Sequence, residues 1–114
     1  MSSSPATTPP MSRIDTFRAM VAKSPTNVLA RFGLAVEAEK EGLFDEAREH
    51  FEAYLAGYDD EGNGWQRLAA VRRALGDHAG AADALRRGME AAHRFGHPGM
   101  EDEMRETLEE MENS

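Results

Sequence analysis

The sequence predicts an all-α fold, and three observations lead to this prediction. The 114 residues include 18 alanines but only five valines and isoleucines together, so the chain is rich in helix formers and poor in strand formers. Apolar residues recur at helical spacing in six segments. Glycine or proline separates these segments, and none of them alternates as a half-buried strand does. We therefore predict six helices and no strand.

Each predicted helix has a recognisable start or end. Ser12 caps the first helix, and Asp15 stands where a capping box has its acid. Gly42 and Gly76 end the second and fourth helices, and Asp77 caps the fifth. Turn-rich segments precede the fourth and sixth helices. The predicted helices span residues 12–23, 26–41, 44–56, 64–75, 78–95 and 99–112, in a single domain of residues 12–112.

Composition excludes several classes of function. The net charge of −8 argues against nucleic acid or an anionic membrane as the main partner. The absence of cysteine fits a reducing, cytoplasmic compartment, and no apolar run is long enough to span a membrane. The excess of arginine over lysine, eleven to two, suits a bacterial gene. Residues 1–11, with three prolines among serine and threonine, are expected to form a disordered tail.

Several residue types recur at a spacing of 34. The recurrence covers the glycines that end helices and the small and apolar residues around them. These are Gly42 with Gly76, Leu34 with Leu68, Ala35 with Ala69, Ala47 with Ala81, and Phe17 with Phe51 and Leu85. A fixed period of this length is typical of helical repeats.

These positions resemble the signature of the tetratricopeptide repeat (TPR) family. Trp65-x2-Leu68-Ala69 with Ala81-x3-Leu85 resembles one repeat, and Leu34-Ala35 with Ala47-x3-Phe51 resembles another. The likeness covers about residues 12–95 as two and a half degenerate repeats. Arg31 stands where the family has an aromatic, and Arg72 where it has a tyrosine. The resemblance implies an α-solenoid of antiparallel helix pairs in a right-handed superhelix, with the last helix as a polar cap. In such a stack, we expect the alanines at the repeated positions to be buried and to let the helices approach closely. We expect six larger residues to fill the gaps between helix pairs: Phe17, Leu34, Phe51, Trp65, Leu68 and Leu85.

The resemblance also implies a concave groove lined by the first helix of each repeat. Such a groove would bind a peptide or a segment of a partner protein. Its apolar residues beside arginine and amide groups favour a ligand of apolar and acidic character. The family's carboxylate clamp is not supported, because Phe32 and Val36 stand at its places. The predicted groove residues are Leu29, Phe32, Val36, Asn63, Gln66, Arg67, Ala70 and Arg73.

Alternatives to an open groove remain at this point. The N-terminal tail or a second copy of the chain could cover Leu29, Phe32 and Val36, and a homodimer would make the protein a structural subunit. No nucleophile motif or phosphate loop is present, and no cofactor is expected. His93 and His97 are four apart, but Gly96 and Pro98 break the helix there, so we expect neither a metal site nor an enzyme.

Overall fold

The computed structural model describes residues 12–114, and that range contains six α-helices and no strand. The predicted all-α class is confirmed. The expected disordered tail, residues 1–11, lies outside the described residues. The helices are α1 (Arg13–Lys23), α2 (Val28–Lys40), α3 (Phe44–Gly57), α4 (Asn63–Ala74), α5 (His78–Arg94) and α6 (Pro98–Glu112).

The helices pack in chain order. Each one contacts the next along the chain, most closely in the pairs α2–α3, α4–α5 and α5–α6. The molecule is accordingly elongated, with extents of 65 × 30 × 21 Å. Packing mainly between sequence neighbours is the arrangement of a helical-repeat fold.

Three connections between helices use the same turn. Gly42, Gly76 and Gly96 have positive φ angles of 75°, 81° and 77°. The glycine N–H donates to the carbonyl three residues back, and the next N–H donates to the carbonyl five residues back. At the second turn these bonds are 2.9 Å and 2.8 Å long. This is the Schellman motif, which requires the left-handed conformation that glycine adopts without strain. The requirement for glycine in this turn explains why Gly42 recurs as Gly76 after 34 residues.

Caps decide where the helices begin. Ser12 Oγ accepts from Asp15 N (3.2 Å), and Asp77 Oδ1 accepts from Gly80 N (2.9 Å), as predicted. The α2 helix begins two residues later than predicted, because the Asn27 side chain accepts from the N–H of Ala30 and caps it there.

An unpredicted cap precedes α4. Asp60 is buried, and its Oδ1 accepts from the N–H groups of Gly62 (2.7 Å) and Gly64 (2.8 Å). Its Oδ2 accepts from the Tyr54 hydroxyl at 2.7 Å. With these groups satisfied, α4 begins at Asn63, one residue before its predicted start.

Alanine forms the tight contacts of the core. Ala35, Ala47, Ala69 and Ala81 are all buried, as the 34-residue register predicted. Phe51, Leu34, Leu68 and Leu85 fill the spaces between them and are also buried. Small residues allow helices to approach closely, which is how a chain with few large aliphatics builds a core. Trp65 and Phe17, expected to fill gaps in the core, are only partly buried at its edge.

The last helix turns its apolar side to α5. Met104 and Leu108 are buried, with Met100 and Met111 packed beside them, while most of the acidic residues of α6 are exposed. Gly88 on α5 provides the space that the Met104 side chain occupies.

Candidate interaction surface

The exposed sides of α2, α4 and α6 form the surface that we call the groove face. The predicted residues of α2 (Leu29, Phe32, Val36) are exposed or partly exposed on one side of that helix. Those of α4 (Asn63, Gln66, Arg67, Ala70, Arg73) share the side opposite its buried residues. Arg67 contacts α2, and Arg73 lines one depression together with residues of α6.

The α2 part of the groove face contains an apolar slot of about 320 Å³. Its apolar lining consists of Phe17, Leu29, Phe32, Gly33 and Val36, and its rim of Arg13, Glu37 and Lys40. Leu29 is 72% exposed, which is unusual for a leucine in a folded protein. The slot therefore brings the three predicted α2 residues together with Phe17 of α1, which was predicted only as a core residue.

The rim of the slot has two cations and one carboxylate, a net charge of +1. Glu37 lies between the two cations, with its carboxylate 3.5 Å from Arg13 Nε and 3.3 Å from Lys40 Nζ. The carboxylate offsets one of the two cations, so the rim keeps a small positive charge beside its apolar lining.

Arg67 connects α4 to α2. Its guanidinium lies 5.9 Å from the centre of the Phe32 ring, in a cation–π arrangement. Its Nη1 is also 3.5 Å from Glu39 Oε1. The charge of Arg67 is thus already balanced by a carboxylate of the first repeat.

Arg73 lies in a depression shared by α4 and α6. The depression has a volume of about 720 Å³, and its other lining residues are Glu106, Glu109, Glu110, Asn113 and Ser114. With three carboxylates and one guanidinium, the depression is net negative. An acidic ligand was expected from the sequence because the arginines of α4 were counted without the glutamates that α6 places in the same depression.

Three of the six arginines in the basic segment 62–95 have partners in the acidic first repeat. Arg72 pairs with Glu52 at 3.0 Å, Arg94 with Asp59 at 2.7 Å, and Arg67 with Glu39 as described. Arg87 pairs with Asp83 on its own helix at 3.1 Å. Within residues 12–114, the segment's remaining arginines, Arg73 and Arg86, form no ion pair. The basic segment and the acidic first repeat are therefore joined by ion pairs in the folded chain.

A second depression, missed from the sequence, lies on the other side of α4. Leu55, Trp65, Leu68 and Arg72 are among its lining residues, and its volume is about 330 Å³. Arg87 stacks over the Trp65 ring at 5.6 Å. The Trp65–Leu68 spacing predicted two core residues. The sequence does not show that the gap between α3 and α5 leaves this side of α4 partly open, because buried and partly open positions have the same helical spacing.

Two titratable groups have pKa values shifted by their surroundings. Burial, together with the hydrogen bond to Asp60, raises the pKa of the Tyr54 hydroxyl well above its ordinary value. Burial and the nearby Arg31 cation lower the pKa of His50. Both groups belong to the packing of α3 rather than to the groove face.

The histidines of the predicted break do not converge. His93 Nδ1 lies 3.3 Å from Glu101, whereas His97 contacts Glu61 in the α3–α4 connection. Among residues 12–114, no three His, Cys, Asp or Glu side chains are grouped as metal ligands would be. Over the same residues, no helix is long and apolar enough to cross a membrane.

The fold and its surface are those of a small helical-repeat protein, and comparison with known proteins identifies the family. No family model matches the chain. A Pseudomonas aeruginosa protein named as TPR repeat-containing is 32% identical over 101 residues, which are 89% of this chain and 96% of that protein. The chain therefore belongs to the tetratricopeptide repeat family. The solution structure of a Bordetella parapertussis protein is also similar, with a TM-score of 0.76, 27% identity and 90% of each chain covered.

Proposed function

We propose that this protein is a non-catalytic interaction module that binds a segment of a partner protein on its groove face. The observation that carries the proposal is the apolar slot, where a 72% exposed leucine joins the partly exposed Phe32 and Val36. Apolar surface held open on a rigid helix pair is typical of a binding site. Membership of the tetratricopeptide family supports a protein or peptide as the partner.

The partner segment would carry apolar residues at one end and basic residues at the other. The slot on α2 accepts the apolar side chains, and Glu106, Glu109 and Glu110 beside Arg73 attract the cations. Asn63, Gln66 and Ala70 lie between the two ends and would contact the backbone of the segment.

A pair of peptide libraries tests this proposal. Both would contain the same apolar residues, one with lysine and arginine at the remaining positions and the other with glutamate. Display panning followed by titration should recover binders from the basic library. Changing Glu106 and Glu110 to lysine should weaken the affinity of the recovered peptides tenfold or more and reduce the salt dependence of their binding. Recovery of binders from the acidic library would refute the groove assignment. Binders whose affinity is unaffected both by the two lysine substitutions and by Leu29→Asp would also refute it.

Self-association through the same apolar surface is the alternative function. The net charge of −8 on each copy opposes it. Light scattering at two protein concentrations separates the two functions. A concentration-dependent dimer that Phe32→Glu abolishes would establish self-association in place of the proposed module.

A further inference from the structure

The two phenylalanines related by the 34-residue register have different surroundings. Phe51 on α3 is fully buried, and the Phe32 ring of the preceding helix covers it at 5.8 Å. Phe17 on α1 holds the equivalent position but remains partly exposed at the edge of the apolar slot. The group that lies over the Phe17 ring is the exposed Arg13 guanidinium, 5.9 Å from the ring centre, where Phe51 has the Phe32 ring. Among residues 12–114, the slot beside Phe17 therefore leaves room for an apolar segment alongside α1.

We propose that residues 1–11 of the same chain occupy this slot and cover Phe17, Leu29 and Val36. This inference concerns what fills the slot in the absence of a partner, and it does not depend on the proposed function. If no external segment binds the groove face, the N-terminal segment can still occupy the slot. If the N-terminal segment does not occupy the slot, an external segment can still bind the groove face.

The position and length of the segment suit the slot. It joins the described chain at Ser12, and the next residue, Arg13, is part of the slot's rim. Eleven residues in a polyproline conformation extend roughly 34 Å, at about 3.1 Å per residue. The α1 helix is only about 16 Å long. The segment can therefore turn back at Ser12 and run the full length of the slot.

The chemistry of the segment also suits the slot. None of its side chains is charged, and more than half of them are apolar or proline: Met1, Pro5, Ala6, Pro9, Pro10 and Met11. A segment without charged side chains adds no further cation to a rim that already has two, Arg13 and Lys40, around Glu37. Proline-rich chains dock in aromatic-lined grooves at a low entropic cost, and this slot presents the rings of Phe17 and Phe32.

Tethering favours this occupant over a second copy of the chain. A segment joined directly to α1 has an effective concentration in the millimolar range at the slot. A second copy would have to bring another charge of −8 against the first and would place like cations of the two rims close together. The intramolecular occupant has neither cost.

A spin label on the N-terminal segment tests the inference in the full chain. The protein has no cysteine, so Ser4→Cys provides a single attachment site for a nitroxide. We expect the amides of Leu29, Gly33 and Val36 to lose most of their NMR signal intensity, while those of α6 keep theirs. Signal retained along α2 would overturn the proposal. Mixing labelled chain with isotope-enriched unlabelled chain should leave the α2 signals intact, and loss there would assign the slot to a second copy instead.

A pair of substitutions shows whether the slot itself holds the segment. Leu29→Asp places a charge in the slot, and its exposure means that the helices should fold unchanged. The matched control is Leu43→Asp, at a leucine that is 40% exposed and lies in the α2–α3 turn outside the slot. Leu29→Asp should restore the α2 signals in the spin-labelled chain and Leu43→Asp should not. Equal effects of the two, or none from Leu29→Asp, would overturn the proposal.

Discussion

A methyl group added at Gly88 should destabilise the fold, although glycine is a poor helix former. Gly88 lies inside α5, where a Cβ would be 2.5 Å from Met104 Sδ and 2.9 Å from Trp65 Cβ. The Met104 side chain is fully buried, so it can move only by giving up part of its packing, and Trp65 Cβ is attached to the backbone of α4 and cannot move. Overpacking of this kind costs up to about 3 kcal/mol, and the gain in helix propensity offsets about 1 kcal/mol of it.

The expected net loss for Gly88→Ala is therefore about 2 kcal/mol in the free energy of unfolding, which corresponds to a fall in Tm of roughly 8 °C or more. Urea denaturation and thermal scanning followed by circular dichroism measure both quantities. Gly99→Ala is the matched control, because a Cβ there meets no atom within 4 Å. It should leave the stability unchanged or raise it by up to about 1 kcal/mol.

A double mutant identifies the cause. Met104→Ala alone should cost about 2–5 kcal/mol by opening a cavity. Combined with Gly88→Ala, it removes the sulfur that the new methyl meets, so the pair should lose less than the sum of the single losses. The close α5–α6 packing would be refuted if Gly88→Ala matched Gly99→Ala, or if the two single effects simply added.

Three further predictions concern the cap, the pH dependence and the last helix. Asp60→Ala should cost about 2–3 kcal/mol in urea denaturation, because it leaves two N–H groups and the Tyr54 hydroxyl without their acceptor; Tyr54→Phe should cost less, and equal losses would contradict the cap. The lowered pKa of His50 means that its contribution to stability is complete above pH 6.5, its ordinary value. That contribution is lost as the pH falls below 6.5, because the unfolded chain takes up the proton first. His50→Gln should therefore flatten the decline of stability on the acid side of pH 6.5, and an unchanged slope would contradict the shift. Deletion of residues 99–114 exposes the buried apolar side of α5, so it should lower both Tm and solubility, and an unchanged melting curve would count against the capping role of α6.

The fold was accessible from the sequence because its determinants are local. The Schellman turns need glycine at Gly42 and Gly76, and the helix contacts need small residues such as Ala47 and Ala81. Each requirement recurs with the repeat and is therefore visible as a period in one dimension. The Asp60 cap was missed because it combines a carboxylate, two N–H groups and a hydroxyl in a connection that has no counterpart elsewhere in the chain.

The groove face was only partly accessible. The helical period identified Leu29, Phe32 and Val36 as one side of α2, and the structure brings them into one slot. The net charge of the surface could not be predicted from the sequence. Arg67 lies beside Glu39, and Arg73 lies in one depression with the glutamates of α6, only in the stacked fold. Charges that lie 28 or more residues apart cannot be paired by any local pattern.

The amino-acid sequence by itself determined the class, the number of helices and the residues at the helix contacts, because helix periodicity, glycine turns and alanine spacing act over a few residues. The tertiary structure alone decided which surfaces stay open and which charges they present. Exposure depends on what each helix packs against, and the net charge of a surface depends on which helices lie side by side. In this protein, the depression at Arg73 accordingly has an excess of carboxylates, although the sequence of α4 by itself has an excess of arginines.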